Sequence, residues 1–219
     1  MKLPAGPLTN GIAVVTLAVF LVLFLTGQMG HAAMWGGFIP ARFMQPELLA
    51  GMTVMPAWLT PLSCTLIHAG WLHIGFNMLM LLFCGRQVEH VLDKGATLIL
   101  YVAGAYGSTF AQWAVEPSST EPMVGASGAI SAIIGTYALL YSQQTIRRIG
   151  PFSANIVRLV WLATGWIIIQ LMVGIATAGG FDDVGKIAIA AHIGGFIVGL
   201  ILTRPLLWWR FRKAPRQVG

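Results

Sequence analysis

Runs of about twenty mostly apolar residues recur six times along the chain, near 11–29, 62–84, 96–115, 123–142, 154–178 and 186–204. Each has the length a helix rising 1.5 Å per residue needs to cross about 30 Å of hydrocarbon. The pattern predicts an all-α polytopic membrane protein, a bundle of six transmembrane helices with both termini on one side. The second run carries His and Asn and the fourth is rich in Gly, so both are expected inside the bundle.

Composition agrees. The 219 residues are 57% hydrophobic and 9% charged, with a mean hydropathy of +0.77, too apolar for a soluble domain. No polar linker or low-complexity tract divides the chain, so residues 1–219 are expected to form a single membrane domain without a separate soluble one. The net charge of +6 does not indicate nucleic acid, because the basic residues are scattered among short connections.

Those charges instead orient the chain. With the N-terminus inside, Lys2, Arg86, Lys94, Arg147, Arg148, Arg158, Arg204, Arg210, Arg212, Lys213 and Arg216 fall inside, and only Arg42 and Lys186 outside. Glu47, Glu116, Glu121, Asp182 and Asp183 fall outside. This asymmetry and the lack of targeting extensions lead us to expect a bacterial cytoplasmic membrane, with both termini cytoplasmic. The connection over residues 30–61, with Trp35, Phe38, Phe43 and Trp58 among several prolines, is expected to lie partly in the outer leaflet. Trp208 and Trp209 in the basic tail would anchor the inner face. Cys64 and Cys84, if on one helix, are about 30 Å apart and cannot pair.

Polar groups inside apolar runs are costly and call for a function. Here they are His68, His73 and Asn77 on the second run, Ser127 within Gly125-Ala126-Ser127-Gly128 on the fourth, and His192 on the sixth. Counted from Glu121 and Lys186, Ser127 and His192 each lie six residues inward, about 9 Å if helical. A serine becomes a nucleophile beside a neutral imidazole, and desolvation disfavours the imidazolium. With no intramembrane carboxylate to orient the base, the pattern predicts a Ser127–His192 dyad rather than a triad. His73 and Asn77, four residues apart, share a helical face that could donate to an oxyanion, whereas His68 would sit about 140° around the helix and is a supporting candidate. Gly125 and Gly128 would let the Ser127 N–H approach a substrate at a helix N-terminus.

Read singly, Gly-x-Ser-Gly in an apolar helix is a packing surface, and Gly128 with Ala132, or Gly195 with Gly199, has the small-xxx-small spacing for it. Both readings hold together, because close approach of the fourth and sixth helices is what brings Ser127 to His192. His31 and His90 read as interfacial. The chain lacks the His-Glu-x-x-His of zinc proteases and the two separated membrane aspartates of aspartyl intramembrane proteases, and no inverted repeat suggests a transporter.

Together these segments resemble the rhomboid intramembrane serine proteases. Residues 68–77, His-Ala-Gly-Trp-Leu-His-Ile-Gly-Phe-Asn, are similar to that family's HxxxxHxxxN; residues 125–128 to its GxSG; and residues 191–199, Ala-His-Ile-Gly-Gly-Phe-Ile-Val-Gly, to its AHxxGxxxG. The resemblance implies that Ser127 and His192 form the dyad, that Asn77, His73 and the Ser127 N–H bind the oxyanion, and that Glu89 has a structural role at a helix end. It implies an endopeptidase that cleaves single-pass transmembrane proteins within the lipid bilayer, with the site opening to the outer side, lateral entry between the second and fifth helices, the following loop as cap, and no cofactor or metal. The alternative is a non-catalytic rhomboid-like protein that binds membrane clients, a class that usually lacks Ser or His. Two features depart from the family: the first long loop has no Trp-Arg pair, and Ser131 stands where some members place a Tyr against the catalytic His. Tyr137 or Trp166 is therefore expected to hold His192.

Overall fold

The structure is a computed structural model and describes residues 3–49, 51, 54–141, 147–178 and 188–212. Eight helices occur among them: α1 (Pro7–Leu25), α2 (Met29–Gly36), α3 (Thr60–Ser63), α4 (Trp71–Met80), α5 (Arg86–Val115), α6 (Ser127–Tyr141), α7 (Ala154–Ala178) and α8 (Ile189–Phe211). Short 3-10 turns fill much of the segment between α2 and α3, and a π-turn, Leu81–Gly85, joins α4 to α5. No strand forms among the described residues. By length and apolarity α1 and α8 each suffice to cross a membrane, and a third crossing arises if the pair Ala57–Leu66 and Trp71–Val115, bent by 90°, counts as one. The expected count of six is not reached on that criterion.

The run over 154–178 coincides with α7, but the second differs most. Its helix starts at Trp71, nine residues later than expected, and continues through the π-turn to Leu92. Hydropathy reports where a segment partitions, and cannot separate a helix from buried turns and extended chain of equal apolarity. Cys64 and His68 are therefore not on this helix, which removes the geometric basis for both the 30 Å separation of the cysteines and the 140° offset of His68. Cys64 and Cys84 are nonetheless both buried and free. Asp93, with φ of 73°, breaks α5 into two helical stretches, and its carboxylate caps the second by accepting from the Ala96 N–H at 3.0 Å. α8 runs past the expected end at 204, through Pro205 to Phe211. Arg210 there donates to the His90 carbonyl at 3.0 Å and lies 3.9 Å from Asp93. Lys186, Asp182 and Asp183 lie outside the described residues.

The centre of the molecule is α5, α6 and α8, which pack most closely on one another. They approach through glycine. A Cβ on Gly104 would lie 2.6 Å from that of Ala132, one on Gly195 would strike the Gly128 carbonyl oxygen, and one on Gly199 the Ala132 carbonyl oxygen. Side chains that small bring backbones together, where dispersion and interhelical hydrogen bonds replace the hydrophobic effect that lipid does not supply. Thr136 of α6 and Thr203 of α8 add such a bond, their hydroxyl oxygens 3.0 Å apart, while the single Thr203 proton goes to the Gly199 carbonyl of its own helix at 2.6 Å and the Thr203 oxygen accepts from Thr136.

α1 is fastened to this centre by Glu89. Its buried carboxylate accepts from the backbone N–H groups of Leu8 and Thr9, at 3.0 and 2.8 Å, and from the Thr9 hydroxyl at 2.7 Å. The α1 N-terminus has no side-chain cap of its own, so an anion from α5 satisfies its free donors and its dipole. Glu89→Gln presents an NH₂ to donors that need an acceptor. We expect it to destabilise the fold by about 2–4 kcal/mol, read as a lower unfolding midpoint in detergent.

Candidate active site

Ser127 is the first residue of α6, so its N–H lies at a helix N-terminus. Two devices stop the helix from extending further back. Gly125 has φ of +118°, a conformation that L side chains rarely adopt, and a Cβ there would lie 2.6 Å from Nε2 of His73. The chain before it is held extended by its neighbours. Phe38 and Met123 exchange backbone hydrogen bonds at 2.9 and 2.8 Å, Ala41 N–H reaches the Ser119 carbonyl at 3.0 Å, and Gly125 N–H reaches the Cys64 carbonyl at 2.8 Å. The 9 Å depth expected for Ser127 assumed helix from Glu121 onward. That assumption fails, because residues 121–126 are not helical.

The residues around Phe38, in the connection expected to lie partly in the outer leaflet, thus form one wall of the seat of Ser127. Phe38, Ile39, Ala41 and Arg42 are buried while Trp35, Phe43 and Trp58 are exposed. Arg42 holds the segment's return by donating to the Met55 carbonyl at 2.8 Å. Nothing in the residue types of this segment announces the pairing, since it is made by backbone groups that every residue carries.

His192 occupies the first turn of α8, and its Nε2 lies 2.8 Å from the Ser127 hydroxyl oxygen. In the tautomer protonated at Nδ1, Nε2 is an acceptor for the hydroxyl proton. The contact depends on the Gly128–Gly195 approach, one residue beyond Ser127 and three beyond His192. A Cβ on Gly128 would also collide with Ser108 of α5.

α4 supplies the third side. Nδ1 of His73 accepts a long hydrogen bond, 3.4 Å, from the Ala69 N–H, which leaves Nε2 as the protonated nitrogen, facing Gly125. Asn77, on the same face and buried, donates one amide N–H to the His73 carbonyl at 2.8 Å. An amide has two, and the second is uncommitted by that bond. His68, fully buried in the bend before α4, has its ring 5.0 Å from that of His73. Its Nε2 accepts from the Ala126 N–H at 3.4 Å, in the turn that leads into α6.

Of the two candidates to hold His192, Tyr137 packs on Phe83 and Tyr141 instead. Trp166 does reach the turn of His192, by donating to its backbone carbonyl at 3.2 Å. Ser131 turns back within α6 to the Ser127 carbonyl at 2.8 Å. Gly125, Gly128, Ser127, His192, His73, Asn77 and His68 are therefore brought into one region, with backbone N–H groups of α6 among them. Such a set can deprotonate a hydroxyl and offer hydrogen bonds to negative charge on a neighbouring oxygen.

A family model described as the Rhomboid domain matches residues 55–209. The chain is 32% identical over 215 residues to the rhomboid protease GlpG of Pectobacterium atrosepticum, covering 97% of this chain and 66% of that protein. It is 26% identical over 220 residues to the rhomboid protease GlpG of Yersinia pestis and to that of Yersinia pseudotuberculosis, covering 68% of each. The chain thus spans about two thirds of the length of these curated relatives.

Proposed function

Because the chain belongs to the rhomboid family of integral membrane proteins, we propose that it is an intramembrane serine endopeptidase in which Ser127 attacks and His192 is the general base. The observation that carries this reading is the 2.8 Å contact between the Ser127 hydroxyl and His192 Nε2, made by residues sixty-five apart in the chain on two helices that touch through glycine. A serine at that distance from an imidazole acceptor can transfer its proton as it adds to a carbonyl.

In the proposed sequence of steps, the Ser127 oxygen bonds to the scissile carbonyl carbon while its proton passes to His192 Nε2. The carbonyl oxygen takes the negative charge, and the Ser127 N–H, the His73 Nε2–H and the free Asn77 amide N–H receive it. Collapse breaks the C–N bond, and His192 returns its proton to the leaving amine. Water then repeats the attack on the acyl-enzyme with His192 again as base. Asn77→Ala removes one donor among several, so turnover should fall by about 10²-fold, measured on a reconstituted substrate. An unchanged rate would remove Asn77 from the oxyanion site.

The substrates we assign are single-pass membrane proteins cut near the outer leaflet. A helical peptide bond is shielded by its own hydrogen bonds, so the segment must unwind to reach Ser127, and helix-weakening Gly or Pro near the cut should favour cleavage. The proposed topology has six crossings, counting α6, α7 and both stretches of the helix broken at Asp93. Both termini are cytoplasmic on the basic asymmetry of the connections, and the membrane is the bacterial cytoplasmic one.

Labelling of the detergent-solubilised protein by a fluorophosphonate probe, mapped by mass spectrometry, tests the reading without a known substrate. Modification of Ser127 that vanishes in His192→Ala is the expected result. An unlabelled Ser127, under conditions where another intramembrane serine protease reacts, would favour the client-binding alternative, against which stands the presence of both Ser127 and His192.

A further inference from the structure

The turn of α8 that carries His192 is gripped on two sides by different means. On the α6 side the grip is backbone against backbone, at Gly195 and Gly128. On the other side a side chain of α7 takes part. The Trp166 indole N–H donates to the His192 carbonyl at 3.2 Å, and its ring lies on that of Phe196, with centroids 4.9 Å apart and planes 8° from parallel. Residues 192 and 196 are the two ends of one helical turn, so the indole clamps the turn at both ends. The His192 carbonyl has a second lone pair for this bond besides the one used within the helix.

Two side chains of α6 are engaged elsewhere. Ser131 is committed to the Ser127 carbonyl, and the Tyr137 ring is taken by Phe83 and Tyr141. α7 is also a peripheral element. Its described contacts are chiefly with α8, fewer with α6, and Ile156, Val160, Trp161 and Ile168 are exposed on its outer face. The orientation of the base thus draws on a residue of α7.

We propose that Trp166 is a positioning residue for His192, and that its N–H bond to the His192 carbonyl makes the Ser127–His192 contact depend on α7 being docked. The inference rests on the proposed protease reading and deepens it. Trp166 touches no reacting atom; it acts by setting the rotation and height of the α8 turn, and displacement of α7 releases that setting. An error of an ångström in such a contact costs up to about 10²-fold in rate.

The test separates the N–H from the ring. Incorporation of β-(3-benzothienyl)alanine at position 166 keeps the bicyclic shape and the stacking on Phe196 but replaces the donor with sulfur; Trp166→Phe removes the donor and part of the ring. The readouts are the second-order rate of Ser127 acylation by a fluorophosphonate, kcat and KM on a reconstituted transmembrane substrate, and the unfolding midpoint. We expect both replacements to lower acylation and kcat by roughly ten- to a hundredfold, with KM unchanged, and the benzothienyl variant to keep the parent midpoint. Acylation at the parent rate in the benzothienyl variant overturns the proposal while leaving the protease reading intact. A fall in rate matched by a fall in the midpoint of that variant also overturns it, because the role is then general packing. A parent protein that is not acylated at all overturns both.

Discussion

Replacing Ser127 or His192 by alanine is expected to lower cleavage of a reconstituted transmembrane substrate by about 10⁴-fold or more, and replacing both is expected to lower it no further. In the proposed mechanism the two side chains act as one unit: without His192 the hydroxyl would keep its proton, and without Ser127 the imidazole would have no nucleophile to activate. Their 2.8 Å contact is the structural basis for non-additivity. Single-turnover assays on the two single variants and the double variant decide it. If the two losses multiply, the residues work independently and the dyad is the wrong description. Neither substitution should change the unfolding midpoint much, since Ser127 and His192 are only half-buried and the helices carrying them are held by glycine contacts elsewhere.

Gly195→Ala is expected to slow the protein by roughly 10²-fold, although Gly195 reacts with nothing. The new Cβ would fall on the Gly128 carbonyl oxygen and within 3.2 Å of Ser131 Cβ. The obstructing oxygen belongs to helix backbone, so no rotamer change relieves the clash and α8 must move away from α6. Overpacking of this kind costs about 1–3 kcal/mol, and it acts between Ser127 and His192, where a shift of about an ångström costs roughly 10²-fold in rate. A lower unfolding midpoint with slower acylation of Ser127 is the expected pair of results. Gly75→Ala is the control: it lies on α4 between His73 and Asn77, yet a Cβ there meets nothing within 4 Å, and activity should be retained. Full activity in Gly195→Ala would show that α6 and α8 do not approach as described.

The glycines show how far a sequence reading carries. Gly128, Gly195 and Gly199 were legible as small residues at helical spacing, and the same approach that packs them delivers His192 to Ser127. The lateness of α4 was not legible. Residues 62–70 are as apolar as a helix would be, but the chain there makes short turns and then runs through the bend that buries His68. The seat of Ser127 was hidden for a different reason. Phe38 and Met123 are joined through their backbones, and the Cys64 carbonyl receives the Gly125 N–H; such bonds leave no mark on residue identity. The glycine at position 125 was the one visible trace, its positive φ and the nearness of His73 each excluding a side chain.

What the sequence determined by itself was which polar groups must be kept from lipid and on which apolar runs they lie. Exposure of a His, Asn or Ser to hydrocarbon is so costly that their positions alone point inward to a shared interior. Only the tertiary structure decided the distances: that α6 begins at Ser127, that His68 meets the Ala126 N–H in the turn before it, and that Trp166 grips the carbonyl of His192. Those outcomes depend on which backbone groups find one another when the helices pack, and every residue offers the same N–H and C=O to that competition.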